Sequence, residues 1–291
     1  MTIAREKRRA IRDWAPAIPF FLIAGGVLIG SAVWLIRASF AGIDGGWTIQ
    51  PWADILGQEL TRKGIANSLG LSAWVATICT VIGTPLAYYI AHLARRGRTA
   101  AQGLLNVVTN FGGASLAIAM VATLGAVGFV RLLARDWLST EITLNLFSFQ
   151  GLIVTYLYFI LPLYVLLVLP AMAAIKPEWW EAVQTAAGSR WDFWRKVGGP
   201  VMFPFVLSGW VLTFAWSIGQ FSVPFALLGE VSTTPLITTR LGNFLFSATG
   251  GTNRFQRAAA LAVLLMVISA VALLVYRAVA NRMLSRLEAG R

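Results

Sequence analysis

Charge is scarce in this sequence. Asp, Glu, Lys and Arg make up only 12% of it and hydrophobic residues 57%, whereas a soluble globular chain carries about 25% charged residues. The shortage is sharper for one sign, with twelve acidic residues against twenty-four basic. Cysteine is nearly absent: the lone Cys79 excludes an intramolecular disulfide. The lone His92 has nothing of metal-binding character near it in sequence, so it reads as an interfacial residue and no metal site is expected. Nothing resembles a nucleophile with its base and orienting group, which argues against an enzyme. No soluble domain carries a basic patch, so nucleic acid is not an expected partner.

What fills the space is long apolar runs. Between successive charged residues lie Trp14–Ile36, Gly64–Ala94, Thr99–Val130, Ile142–Ile175, Val197–Gly229 and Ala258–Tyr276, each at least 19 residues long. A helix that crosses a bilayer needs about 20 residues. The bilayer interior offers backbone groups no water, so helices that satisfy their own N–H and C=O groups are the natural solution. The period-two alternation of a membrane barrel is not visible. The expected fold is therefore an all-α membrane protein with six transmembrane helices, at about 15–38, 67–92, 104–131, 150–175, 201–228 and 257–280.

Placing the N-terminus in the cytoplasm puts sixteen Lys and Arg residues in inner segments and eight in outer ones. That bias predicts both termini inside. The chain then divides into a basic cytoplasmic N-terminus (1–14), a single transmembrane domain (15–280) and a cytoplasmic tail (281–291). The first apolar run is longer than a signal h-region and lacks a clear cleavage site, so it reads as an uncleaved span. Many of the twelve tryptophans, among them Trp14, Trp34, Trp47, Trp52 and Trp137, fall near span ends, where an amphipathic ring prefers the headgroup level. No span carries a carboxylate, Lys or Arg in its interior. Such a group usually marks proton-coupled carriers and voltage sensors, so a self-powered proton-coupled transporter is disfavoured.

One stretch breaks this pattern. "KPEWWEAVQTAAGSRWDFWRKVGGP", Lys176 to Pro200, is charged and punctuated, and falls on the cytoplasmic side between the fourth and fifth spans. Pro177 suits a first helical position, and Glu178 and Glu181 suit the positive end of the helix dipole. Gly188 is the expected left-handed stop. Ser189, with Asp192 three residues on, has capping-box spacing for a second short helix, which Gly198-Gly199-Pro200 is expected to break. Two readings compete. The segment is a lipid anchor, with Trp179, Trp180, Trp191 and Trp194 dipping into the bilayer, or it is a docking knob whose small residues (Ala182, Ala186, Ala187, Gly188) enter a groove on a soluble partner.

The segment resembles the cytoplasmic signature of ABC-importer permeases: Glu-Ala-Ala, three residues, Gly, nine residues, Ile-x-Leu-Pro. Aligned without a gap, Glu181 and Ala182 match the opening pair, Val197 takes the Ile position and Pro200 the final Pro. Val183 replaces the second Ala, Ala187 occupies the Gly position with Gly188 one later, and Gly199 replaces Leu. "NSLGLSAWVATICTVIGTPLAYYIA" (67–91) and "GQFSVPFALLG" (219–229) extend the likeness over most of the chain from the second span to the sixth. The resemblance implies a type I importer permease. Two such subunits form the pore, as a homodimer or a heterodimer, and an extracytoplasmic binding protein delivers the solute. A dimer of ATP-binding subunits docks on the coupling helices, here the region of Glu181, Ala182, Ala186, Ala187, Gly188, Ser189, Arg190 and Pro200. No Gly-x-x-x-x-Gly-Lys-Ser/Thr loop is present, so ATP and Mg belong on the partner ATPase and this chain needs no cofactor. The implied location is the bacterial inner membrane.

The fourth and fifth spans look most like the spermidine/putrescine branch, which also takes in ferric-iron, aminophosphonate and opine-type systems. Polyamine members often carry "GDFVTP"; here Gln220 replaces the acid, removing the carboxylate a polycation would want. Candidate path residues are Asn110, Tyr156, Tyr158, Gln220 and Ser222, each with the plainer alternative of an interhelical hydrogen bond. Against the permease reading stands an ATP-independent facilitator or assembly scaffold.

Overall fold

The computed structural model describes residues 18–42, 45–138, 144–229, 234–246 and 253–289. The basic N-terminus with Trp14 and the last two residues of the tail lie outside them. Among the described residues the chain is helical, with one isolated antiparallel bridge, Ala41 to Trp47. Six helical stretches among the described residues are long and apolar enough to cross a membrane.

Helix α1 (Ile18–Ser39) is followed by a short helix α2 (Gln50–Gly57) and by the long α3 (Glu59–Ala91). Next come α4 (Arg95–Asn110), α5 (Gly113–Leu124) and α6 (Phe129–Leu138). The expected third span, 104–131, is thus not one helix. It breaks at Phe111-Gly112, and Gly113 takes φ +74°, a conformation glycine adopts at no steric cost. The membrane-length stretch is Gly113–Trp137, formed by α5 and α6 together.

Helix α7 (Phe149–Ala173) starts at Ser148, whose side chain accepts from the Gly151 N–H, and tolerates Pro162 and Pro170 inside it. The cytoplasm-assigned loop forms α8 (Pro177–Thr185) and a first helical turn, α9 (Arg190–Phe193). The chain then passes through a π-helical turn, Trp194–Gly198, into α10 (Gly199–Ile218). The expected break at Gly198-Gly199-Pro200 does not occur: α9 runs on into the fifth span. Pro200 has no N–H for the i−4 carbonyl, and the wider turn absorbs the loss, with the Gly199 N–H reaching back to Trp194 O. Both glycines are needed for it. A Cβ on Gly199 would lie 2.4 Å from Trp194 O, and one on Gly198 2.8 Å from the Trp194 ring.

The fifth span ends earlier than expected, at Ile218. After Gly219-Gln220-Phe221 a separate short helix, α11 (Ser222–Leu228), begins. Helix α12 (Ile237–Phe246) and the long α13 (Arg254–Ala289) complete the chain.

The core lies where α3, α7 and α10 pack together. Tyr164 of α7 sits at its centre, fully buried, with its hydroxyl 2.7 Å from Thr84. Two glycines let the flanking helices approach it: a Cβ on Gly83 would fall 2.5 Å from the Tyr164 ring and one on Gly209 2.8 Å from it. Lipid tails are as apolar as leucine, so close approach and packing, not water exclusion, hold such helices together. Helix α1 packs against α13, where Trp34 meets Phe255 at 5.1 Å between ring centroids, and its surface is otherwise largely exposed. Nothing lies within 4 Å of a Cβ placed on Gly26 or Gly30.

Candidate functional site: the corner before the fifth span and the paired helix breaks

Helix α8 begins with Pro177 at a first-turn position and Glu178 near the positive end of its dipole. It ends in a Schellman motif: the Gly188 N–H donates to Val183 O (2.8 Å) and the Ala187 N–H to Gln184 O (2.9 Å). The residue in the left-handed region is Ala187, at φ +54°, and not Gly188 as expected from the sequence. Ala187 is the position at which the resemblance places glycine, so the ungapped register holds in the backbone. Gly188 serves a different need. A Cβ there would meet the Val183 side chain at 2.6 Å.

One residue later the capping box forms as expected. Ser189 Oγ accepts from the Asp192 N–H (3.1 Å) and Asp192 Oδ2 accepts from the Ser189 N–H (3.1 Å). Asp192 also pairs with Lys196 at 2.9 Å. These bonds hold the two short helices as one rigid corner.

The tryptophans decide how that corner sits. Trp179, Trp180 and Trp194 turn inward and pack against the core with Val183. Trp180 meets Phe193 edge-on at 5.8 Å, the Arg190 guanidinium lies 5.9 Å from its ring centre, and Trp194 contacts Tyr88 at 5.1 Å. Trp191 alone of the four stands out, at 73% exposure. An anchor that dips four rings into lipid is therefore not what the segment builds. The face turned away from the bundle holds Glu181, Ala182, Ala186, Ala187, Ser189 and Arg190, all exposed, with Gly188 half-buried; Pro200, also exposed, lies at the start of α10.

The path candidates divide. The break after Asn110 and the break at Gln220 come together, because α5 packs along α11 and a Cβ on Gly113 would lie 3.5 Å from Ser222 Oγ. Asn110 and Ser222 are exposed and Gln220 is half-exposed. Asn110 donates to Asn106 O (2.8 Å) within its own helix. Tyr156 and Tyr158 point to nearly opposite sides of α7, the first 1% exposed in the core and the second 42% exposed. Tyr156 lies beside Ser217 and Ile218, just before the second break. Sequence reasoning missed the first break, although Gly112-Gly113 inside a supposed span was its signal. It also missed the buried hydroxyls Ser68, Ser72, Ser217 and Thr238; Ser68 and Ser72, one helical turn apart in a charge-free run, were legible.

Comparison with known proteins settles the family. Residues 83–285 match the model of the binding-protein-dependent transport system inner membrane component. The chain belongs to that family. As a member it is a multi-pass inner-membrane permease component, and the other relatives agree. It is 26% identical over 184 residues to the sulfate transport system permease protein CysT of Escherichia coli, covering 61% of this chain and 65% of that one. It is 25% identical over 232 residues to the molybdenum transport system permease protein ModB of Haemophilus influenzae, covering 77% and 97%. A spermidine/putrescine permease PotC homolog of Mycoplasma genitalium is 26% identical over 186 residues, covering 64% and 62%. In fold, this permease superposes on a chain of a bacterial ABC transporter that imports the polysaccharide alginate, with TM-score 0.72 at 18% identity, over 97% of this chain and 99% of the other. The solutes named for these proteins differ, so the polyamine branch is one relative among several.

Proposed function

We propose that this permease forms half of the translocation pore of an ATP-driven importer and is driven through its Glu181 corner by a separate ATPase. The observation that carries the reading is the corner itself. It is stiffened by a Schellman motif and a capping box, its tryptophans are packed inward, and its small-residue face is left exposed. A rigid knob continuous with the fifth span moves that span when it moves. A lipid anchor would need the opposite arrangement of its rings.

In this reading a dimer of ATP-binding subunits, carrying ATP and Mg, grips two such corners, and a second permease subunit completes the pore. An extracytoplasmic binding protein delivers a small polar solute, as the alginate system's periplasmic protein accompanies its transporter. Both termini lie in the cytoplasm of a bacterial cell. Asn110, Gln220 and Ser222 at the paired breaks line the path, where unwound backbone offers polar groups at membrane depth.

The test is Glu181→Lys in the complex purified with its ATPase. Solute-stimulated ATP turnover should disappear while the complex stays assembled and helical by circular dichroism. Coupling like that of the unmodified complex would overturn the reading, as would uptake into liposomes by this chain alone.

A further inference from the structure

At the end of the bundle opposite α8, five hydroxyl side chains converge on one narrow crevice: Ser68 and Ser72 of α3, Tyr156 of α7, Ser217 of α10 and Thr238 of α12. Each is between 1% and 4% exposed. Among the described residues, no Asp, Glu, Lys or Arg lines the crevice. The N-terminus of the ten-residue α12 opens onto it, with Leu236 and Thr238 in its wall. Ser68 Oγ accepts from the Ile237 N–H (2.9 Å), which leaves its own proton to give.

Ser217 is the telling residue. Thr155, buried in α7, bonds the carbonyl four residues back, Gly151 O, at 2.9 Å; Thr61 of α3, outside the crevice, has no such partner. Ser217 Oγ, 2% exposed and in the crevice wall, has no hydrogen-bond partner. The walls are in contact here, with no room for a water molecule, so the closed form bears the cost of an unpaired buried hydroxyl. One residue after Ser217 helix α10 ends at Ile218, with Gly219 as its C-cap.

We propose that this crevice, on opening, receives the oxyanion group of the transported solute. The inference rests on the permease reading above and names the solute class it serves. A helix N-terminus favours negative charge, the five hydroxyls can all donate, and the described lining holds no carboxylate to attract a polycation. A sulfate-like group offers acceptors in several directions and meets a donor on every wall.

The experiment is binding of radiolabelled inorganic sulfate to the complete permease–ATPase complex in nanodiscs, without nucleotide. The complex should retain sulfate and not putrescine. Ser217→Ala should weaken retention about tenfold, the factor that 1.4 kcal/mol produces. Ser217→Thr, which keeps a hydroxyl, should restore it, and Thr155→Val, buried but outside the crevice, should leave it unchanged. No sulfate retention, equal retention by Ser217→Ala, or retention of putrescine instead would each overturn the proposal. Because the assay needs no ATP, its failure leaves the Glu181→Lys result standing, and failure of that result leaves this one readable.

Discussion

The Glu181 corner and the contact of α12 with α3 are built on opposite terms. Around Glu181 the polar groups are satisfied several times over. A Schellman turn, a reciprocal cap and an i,i+4 ion pair follow one another within fifteen residues, above a floor of inward-facing aromatic rings. At the other end, α12 is tied to α3 by a few single bonds, Asn67 to Pro235 O (3.0 Å), the Ile237 N–H to Ser68, and Arg240 to Gln58 (2.6 Å). Beneath them Ser217 is unpaired. A part that transmits force gains from being over-determined. A part that must open gains from weak, separable ties, and from a closed state that is not fully satisfied.

The contrast is sharpest at the pivot between the ends. Gly209→Leu drives a side chain into the Tyr164 ring, which already lies 2.8 Å from the position of a Cβ. Overpacking of this kind costs about 1–3 kcal/mol, and the upper end is expected because α3 closes on the same ring from the other side. Thermal unfolding of the purified permease should fall by several degrees, and both ends should loosen together in hydrogen exchange. Loosening confined to one end would break the comparison, since it would mean the ends do not share a core.

Ser189→Ala removes the reciprocal cap and should cost about 1 kcal/mol. Faster amide exchange is expected from Ala186 to Phe193, with none at Ile237–Arg240. Ala187→Gly works in the other direction. Left-handed backbone costs a non-glycine residue about 1–2 kcal/mol, of which glycine's greater chain entropy returns part. A net gain of about 0.5–1 kcal/mol and slower exchange at the α8 terminus should follow; faster exchange there would show that the turn is held by something other than the Schellman bonds. The smallest effect is expected from Ser68→Ala, which removes one interhelical bond worth about 0.6 kcal/mol on average in membranes. Exchange at Ile237 should rise while Ala186–Phe193 stays unchanged.

Much of this architecture is written in local chemistry. Six spans follow from charge-free runs because the bilayer admits no unpaired charge or backbone group. The capping box follows from Ser189 and Asp192 because it needs only residues three apart. The breaks were harder to place. Gly188 looked like the left-handed residue because glycine adopts that geometry freely, yet the register of the hydrogen bonds put the strain on Ala187. Gly198-Gly199-Pro200 looked like a stop, but a wider helical turn accommodated all three residues. In the third span, hydropathy ran smoothly through Gly112-Gly113 while the backbone did not.

The sequence by itself determined that this protein is a bundle of six apolar helices carrying an exposed, capped corner, since those features depend on neighbours within a few residues and on the solvent. Only the tertiary structure decided which way the tryptophans face, that the breaks at Gly112 and Gly219 meet, and that Ser68, Ser72, Tyr156, Ser217 and Thr238 share one crevice. Those facts depend on how separate helices are rotated about their axes. That rotation is set by close packing around residues such as Tyr164, Gly83 and Gly209, which stand 81, 126 and 45 positions apart in the chain.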